Sequence, residues 1–182
     1  MEAEIAKLTQ PPNSDRDHIQ GPPSVPVTLV EYGDYECPYC GQAYPIIKEV
    51  QKHLGNKLRF VFRNFPVTEI NPHAQHAAEA AEAAAVQSKF WEMHDYLYEH
   101  QQALDDRHLE KYADKLGLNL AKFNNEMSSH FHAGRVREDF LSGVRSGVNG
   151  TPTFYINAIR YNNSWDLETL SKTLRSAIKK TD

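Results

Sequence analysis

The run Val27-Thr-Leu-Val-Glu-Tyr32 is β-branched and apolar, and within a few residues it leads to Cys37-Pro-Tyr-Cys40. Such a run reads as a buried strand that delivers the chain to the cysteine pair. Beyond the pair, Ile46, Ile47, Val50 and Leu54 recur at helical spacing. Pro38 suits the first turn of that helix, where an amide hydrogen would have no carbonyl to meet, and Pro45 is expected to kink it. A second strand is expected over Leu58 to Phe65, halted by Pro66. Strand, helix and strand in this order favour parallel pairing through a right-handed crossover, and so an α/β fold.

The rest of the chain supplies two further signals. From about Pro72 to Val148 the pattern is helical. Ala74, Ala77, Ala78, Ala81, Ala84 and Ala85 make a small-residue face, and shorter helices are expected behind Asp105 or Asp106 and behind Asn119 as N-caps. The pattern then reverts to strand in Thr153-Phe-Tyr-Ile-Asn157, turns at Ala158, returns over Ile159 to Tyr161, and closes with a helix capped by Asp166. Ahead of all this, residues 1–26 carry Pro11, Pro12, Pro22, Pro23 and Pro26 among polar residues, which suits an extended arm on the domain surface. One domain over residues 27–182 with a helical insertion over about 72–148 is therefore expected.

Length and charge narrow the function classes. At 182 residues the chain holds one ordinary domain with a sizeable insertion. A net charge of -4 without long single-sign runs leaves no footprint for nucleic acid or an anionic membrane. No stretch approaches the ~20 apolar residues needed to cross a bilayer. The first twenty-five residues lack the apolar core of a secretory signal. The expectation from these facts is a cytoplasmic protein, unless a signal has been removed.

The two cysteines lie three positions apart, so whatever they do they do as a pair. A lone Cys-x-x-Cys fits a zinc half-site, inert core thiols or dithiol exchange. Zinc needs two further ligands and there is no second pair, whereas the strand before Cys37 and Pro38 within the motif suit a redox turn. At a helix N-terminus Cys37 faces amide donors and the positive end of the dipole, which favour its thiolate as nucleophile. Cys40, one turn inside, is the natural resolving thiol.

Three features together resemble the DsbA-like branch of the thioredoxin superfamily: Glu31-Tyr-Gly-Asp-Tyr-Glu-Cys-Pro-Tyr-Cys40, the long helical stretch before the last hairpin, and Gly150-Thr-Pro-Thr-Phe-Tyr-Ile-Asn157. The resemblance implies a thioredoxin fold with an inserted α-helical subdomain, and disulfide exchange with protein substrates. It also implies a redox partner that recycles the pair, and no metal or organic cofactor. By the same resemblance Thr151-Pro152 is a cis-proline loop offering backbone groups to a substrate chain, the alternative being an ordinary trans proline opening an edge strand. Glu31 matches a buried acid below the cysteines that relays the Cys40 proton, or else only hydrogen-bonds nearby backbone. Tyr39 departs from the Pro-His dipeptide of the most oxidising members. With the expected compartment, it tilts the reading toward a reductase or isomerase. Two readings from other classes stay open: a glutaredoxin-like, glutathione-dependent enzyme and a non-catalytic redox-sensing module.

Other chemistry-bearing residues read more plainly. His73, His76, His94 and His100 are expected to be capping or core hydrogen-bond partners rather than metal ligands. Phe90, Trp91, Tyr96, Tyr98 and Phe123 are expected to pack the inserted helices. Arg63 is expected in a surface ion pair with a glutamate.

Overall fold

The computed structural model describes residues 6–180. In chain order the elements are β1 (His18–Gln20), β2 (Val27–Gly33), α1 (Pro38–Leu54), a 3-10 turn (Gly55–Lys57), β3 (Leu58–Asn64), α2 (Ala74–Ala85), α3 (Phe90–Glu99), α4 (Asp106–Lys115), α5 (Leu120–Ser128), α6 (Ala133–Arg145), β4 (Thr153–Ile156), β5 (Ile159–Tyr161) and α7 (Leu167–Lys179). The five strands form one sheet in the order β1-β3-β2-β4-β5. This is the thioredoxin fold, with helices α2 to α6 carried between β3 and β4. The chain divides into two compact units: residues up to 33, 42–63 and from 142 onward, and residues 34–41 with 64–141.

The first unit is built on the sheet. The central strand β2 is buried along nearly its whole length, with Leu29, Val30, Glu31, Tyr32 and Gly33 all out of solvent. A strand covered on both faces reads as a continuous apolar run instead of alternating, which is why Val27 to Tyr32 carries so few polar residues. Strand β4 pairs antiparallel with β2, Glu31 opposite Phe154, and β5 folds back on β4. Asn157 and Ala158 close that hairpin with φ of 47° and 69°, the left-handed pair that a two-residue turn between twisted strands requires. Helix α7 packs on β2, and its Leu170 and Leu174 are fully buried. Its N-cap is Asp166, which accepts from the Thr169 N–H at 2.9 Å.

The N-terminal arm enters this sheet at both edges. Strand β1 pairs antiparallel with β3, His18 opposite Phe62. At the far edge, Lys7 bridges to Ile159, with the Leu8 N–H on the Ala158 carbonyl at 2.8 Å. Open strand edges present unpaired backbone groups that invite association, and here one segment covers both. The arm is held at its middle by Arg63. The guanidinium of Arg63 donates to both carboxylate oxygens of Asp17 at 2.8 and 2.9 Å, to Tyr32 Oη at 2.9 Å and to the Gln10 carbonyl at 2.9 Å. Arg63 is completely buried, which corrects the expected surface ion pair with a glutamate: its partner is an aspartate about ten residues nearer the N-terminus than any strand the sequence pattern revealed.

The second unit is a set of short helices around α2. Every residue from Ala77 to Ala84 is buried, and α2 packs against α3, α4 and α5. Alanines let neighbouring helices approach closely on all sides while adding no side-chain entropy cost. Asp105 and Asn119 cap α4 and α5 by accepting from the His108 and Lys122 N–H groups. Phe90, Tyr98 and Phe123 are buried among these helices, with Trp91 and Tyr96 at the margin. The two acids on α2 are satisfied inside the unit: Glu82 accepts from Asn64 Nδ2 at 2.8 Å, and Glu79 lies 3.2 Å from His130 Nδ1.

Candidate active site

Strand β2 ends at Gly33, and the chain turns through residues 34–37 before α1 begins at Pro38. The turn is closed by the Cys37 N–H on the Asp34 carbonyl at 3.2 Å, and the helix by the Gly41 N–H on the Cys37 carbonyl at 3.1 Å. Cys37 therefore stands directly before the first helical residue, at the end where the first-turn amides and the dipole favour an anion. Both cysteines are free thiols. Cys37 keeps 7% of its surface exposed and Cys40 none, while Tyr39 between them is 62% exposed. The backbone N–H of Asp34 points at Cys40 Sγ, 3.5 Å away.

A residue that sequence reasoning passed over organises this turn. The buried carboxylate of Asp34 accepts from the Glu36 N–H, the Val67 N–H and Asn71 Nδ2, each at 2.8 Å. Burial pushes its carboxyl above the ordinary value, against the pull of those hydrogen bonds. Glu36 adds a second tie, accepting from the His73 N–H at 2.6 Å and lying 2.8 Å from His73 Nδ1. The dithiol turn is thereby fastened to the 67–73 loop at three points. Tyr35 is sunk beneath it, its hydroxyl 3.0 Å from His94 Nδ1 and its ring 4.9 Å from that of Tyr98. Gln101, in the turn after α3, donates to the carbonyls of Tyr35 and Cys37 at 2.8 and 2.9 Å.

The other expected site residues fall in the sheet unit. Glu31 is buried on β2, and the Thr151–Pro152 peptide just ahead of β4 is cis. The histidines are taken up singly: His73 by Glu36, His76 by Asp106 at 2.7 Å, His94 by Tyr35, and His100 by the Tyr96 carbonyl at 2.8 Å. Among the described residues no group of three or more His, Cys, Asp or Glu is placed to hold a metal ion.

A family model described as thioredoxin matches residues 13–176. The chain belongs to the thioredoxin family. In fold this thioredoxin-family chain is similar to solved DsbA-like thiol-disulfide oxidoreductases. Against BdbD of Bacillus subtilis the TM-score is 0.80 at 24% identity, covering 95% of this chain and 98% of that one. Against alpha-DsbA1 of Wolbachia pipientis it is 0.80 at 17% identity, covering 96% and 95%. In sequence, the chain is 46% identical over 177 residues to a protein of Salinispora arenicola named Na(+)/H(+) antiporter NhaA 1, covering 97% of this chain but 27% of that protein. The chain spans about a quarter of the length of the curated relatives it matches.

Those relatives correct one expectation. The expected cytoplasmic location finds no support in them: they are named as Na(+)/H(+) antiporters and are nearly four times as long as this chain. The tilt toward a reductase or isomerase leaned on that compartment as well as on Tyr39, and loses the first of these supports. Within the described residues, no helix is long and apolar enough to cross a membrane.

Proposed function

We propose that this thioredoxin-family chain exchanges disulfides with protein thiols through Cys37 and Cys40. The reading rests above all on the asymmetry of the dithiol: a slightly exposed Cys37 at the head of α1 and an enclosed Cys40 one turn inside it. The Cys37 thiolate attacks one sulfur of a substrate disulfide. The substrate S–S bond breaks, one substrate thiolate leaves, and a mixed disulfide forms on Cys37. Cys40 then loses its proton and attacks Cys37 Sγ. The second substrate thiolate is released, and two electrons have passed from the dithiol to the substrate. The same steps in reverse oxidise a substrate dithiol.

On the family resemblance, Glu31 takes up the Cys40 proton, and Thr151 and Pro152 offer backbone groups to the extended substrate. Pro38 and Tyr39 set the environment of Cys37 from within the motif. A second thiol protein resets the pair after each cycle. The direction of net flow follows from the reduction potential of the pair against that of its partners.

The test is turnover on insulin and on a scrambled disulfide protein. Cys37→Ser abolishes both, and Cys40→Ser accumulates mixed disulfide on Cys37. Unchanged turnover in Cys37→Ser refutes the reading. Full deglutathionylation of small mixed disulfides by Cys40→Ser, with no activity on protein disulfides, replaces it by a glutathione-dependent one.

A further inference from the structure

We propose that Gln101 is a positioning residue for Cys37, acting on the nucleophile through the backbone of the dithiol turn; the inference rests on the exchange reaction proposed above. Two independent observations converge on it. The carboxamide nitrogen of Gln101 has two hydrogens, and both are used within the turn, on the carbonyl of Tyr35 at 2.8 Å and on that of Cys37 at 2.9 Å. Gly41, in the first turn of α1, has no side chain, and a Cβ there would collide with the same carboxamide, reaching 2.6 Å from Cδ and 3.0 Å from Nε2. Gly41 has an ordinary helical backbone, so no left-handed φ calls for glycine at this position. Glycine is a poor residue for a helix interior, and its place here is explained by the approach of Gln101.

The consequence lies in the orientation of the Cys37 peptide. Its carbonyl accepts from two directions, the Gly41 N–H along the helix and the Gln101 amide from the side. A carbonyl held from both sides fixes the plane of the Cys37–Pro38 peptide. That plane sets the direction of the Cys37 Cα–Cβ bond, and with it the placement of Sγ against the positive end of α1. The Tyr35 carbonyl, two residues earlier, is held by the same amide, so the turn cannot tilt as a unit. Gln101 touches no reacting atom. It keeps the thiolate where the helix stabilises it, and thereby stabilises the reduced state of the pair.

The experiment titrates the Cys37 thiol by thiolate absorbance against pH and measures the equilibrium constant of the pair with glutathione, in the full chain. Gln101→Met keeps the length of the side chain without donors. It is expected to lower the thiolate-to-thiol ratio at fixed pH roughly three- to tenfold, the scale of the one neutral hydrogen bond lost at the Cys37 carbonyl itself, and to make the disulfide less oxidising in the same proportion. Gln101→Glu keeps the shape but sets a carboxylate against two carbonyls, and is expected to be worse than Met. Gly41→Ala displaces Gln101 and is expected to match Gln101→Met, yet to add nothing in a Gln101→Ala background.

A Cys37 titration unmoved in Gln101→Met, or an additive effect of Gly41→Ala on Gln101→Ala, overturns the proposal. A residue of merely structural importance would lower the melting temperature and leave the thiol titration alone. If the variants behave as stated but Cys37→Ser still turns over protein disulfides, the positioning role stands and the proposed reaction falls.

Discussion

The carboxylate of Asp34 is surrounded by three donors, and its own N–H meets the sulfur of Cys40. Replacing it by alanine leaves buried donors without an acceptor, and urea unfolding is expected to register a loss of at least about 1–3 kcal/mol. The pH dependence has a definite sign. Burial, the largest influence, lifts the carboxyl above its ordinary 3.8, so the unfolded chain ionises first. The contribution of Asp34 is then full below pH 3.8 and is lost as pH rises through the higher folded value. The stability of the wild type relative to Asp34→Asn is therefore expected to fall with rising pH across that window, and a flat or rising difference would contradict the assigned environment. Tyr39 is largely exposed and replaceable. Tyr39→His, by putting a hydrogen-bonding and chargeable ring near the sulfur, is expected to raise the reduction potential by about 30 mV or more, a tenfold shift in the exchange constant with glutathione. At this scale the cysteines were legible because they are alone in the sequence. Asp34 was not, being one of three acids within six residues whose role is decided by Val67 and Asn71, more than thirty positions away.

Helices and strands follow the sequence where a local rule applies. Pro38 opens α1, Asp105, Asn119 and Asp166 cap their helices, and the alanine face of residues 74–85 is α2. The alanines were read as one face, but α2 is buried all round, because helices cover it from several directions at once. Ala81→Leu adds volume where no space is open and is expected to cost about 1–3 kcal/mol by denaturant titration. A neutral result would mean that the neighbouring helices yield more easily than close packing allows. Strand β1 went unread. Three half-buried residues, His18 to Gln20, carry no alternation to detect, and they are a strand only because β3 offers an edge.

Across the whole chain, the pair Asp17 and Arg63 holds the arm to the sheet. Burial raises the Asp17 carboxyl, but the hydrogen bonds and charge of Arg63 outweigh it and hold the group below its ordinary value. The stabilisation is therefore present above pH 3.8 and is lost as pH falls through the lower folded value. Arg63→Met alone leaves a buried carboxylate uncompensated and is expected to cost about 3–5 kcal/mol, while the double change with Asp17→Leu recovers much of it. If the double variant is no more stable than the single one, the pair does more than neutralise itself. Residues 27–65 and 150–179 carried enough local pattern for the sequence alone to determine strand, dithiol helix, hairpin and closing helix, since a buried strand, a helix cap and a turn each depend on neighbours in the chain. Only the tertiary structure decided that the arm spans both sheet edges, that Arg63 is buried against Asp17, and that Asp34 and Gln101 hold the dithiol turn. The physical reason is shared: each is a polar contact between segments distant in sequence, and hydrogen-bond partners, unlike apolar periodicity, leave no repeat in the chain that makes them.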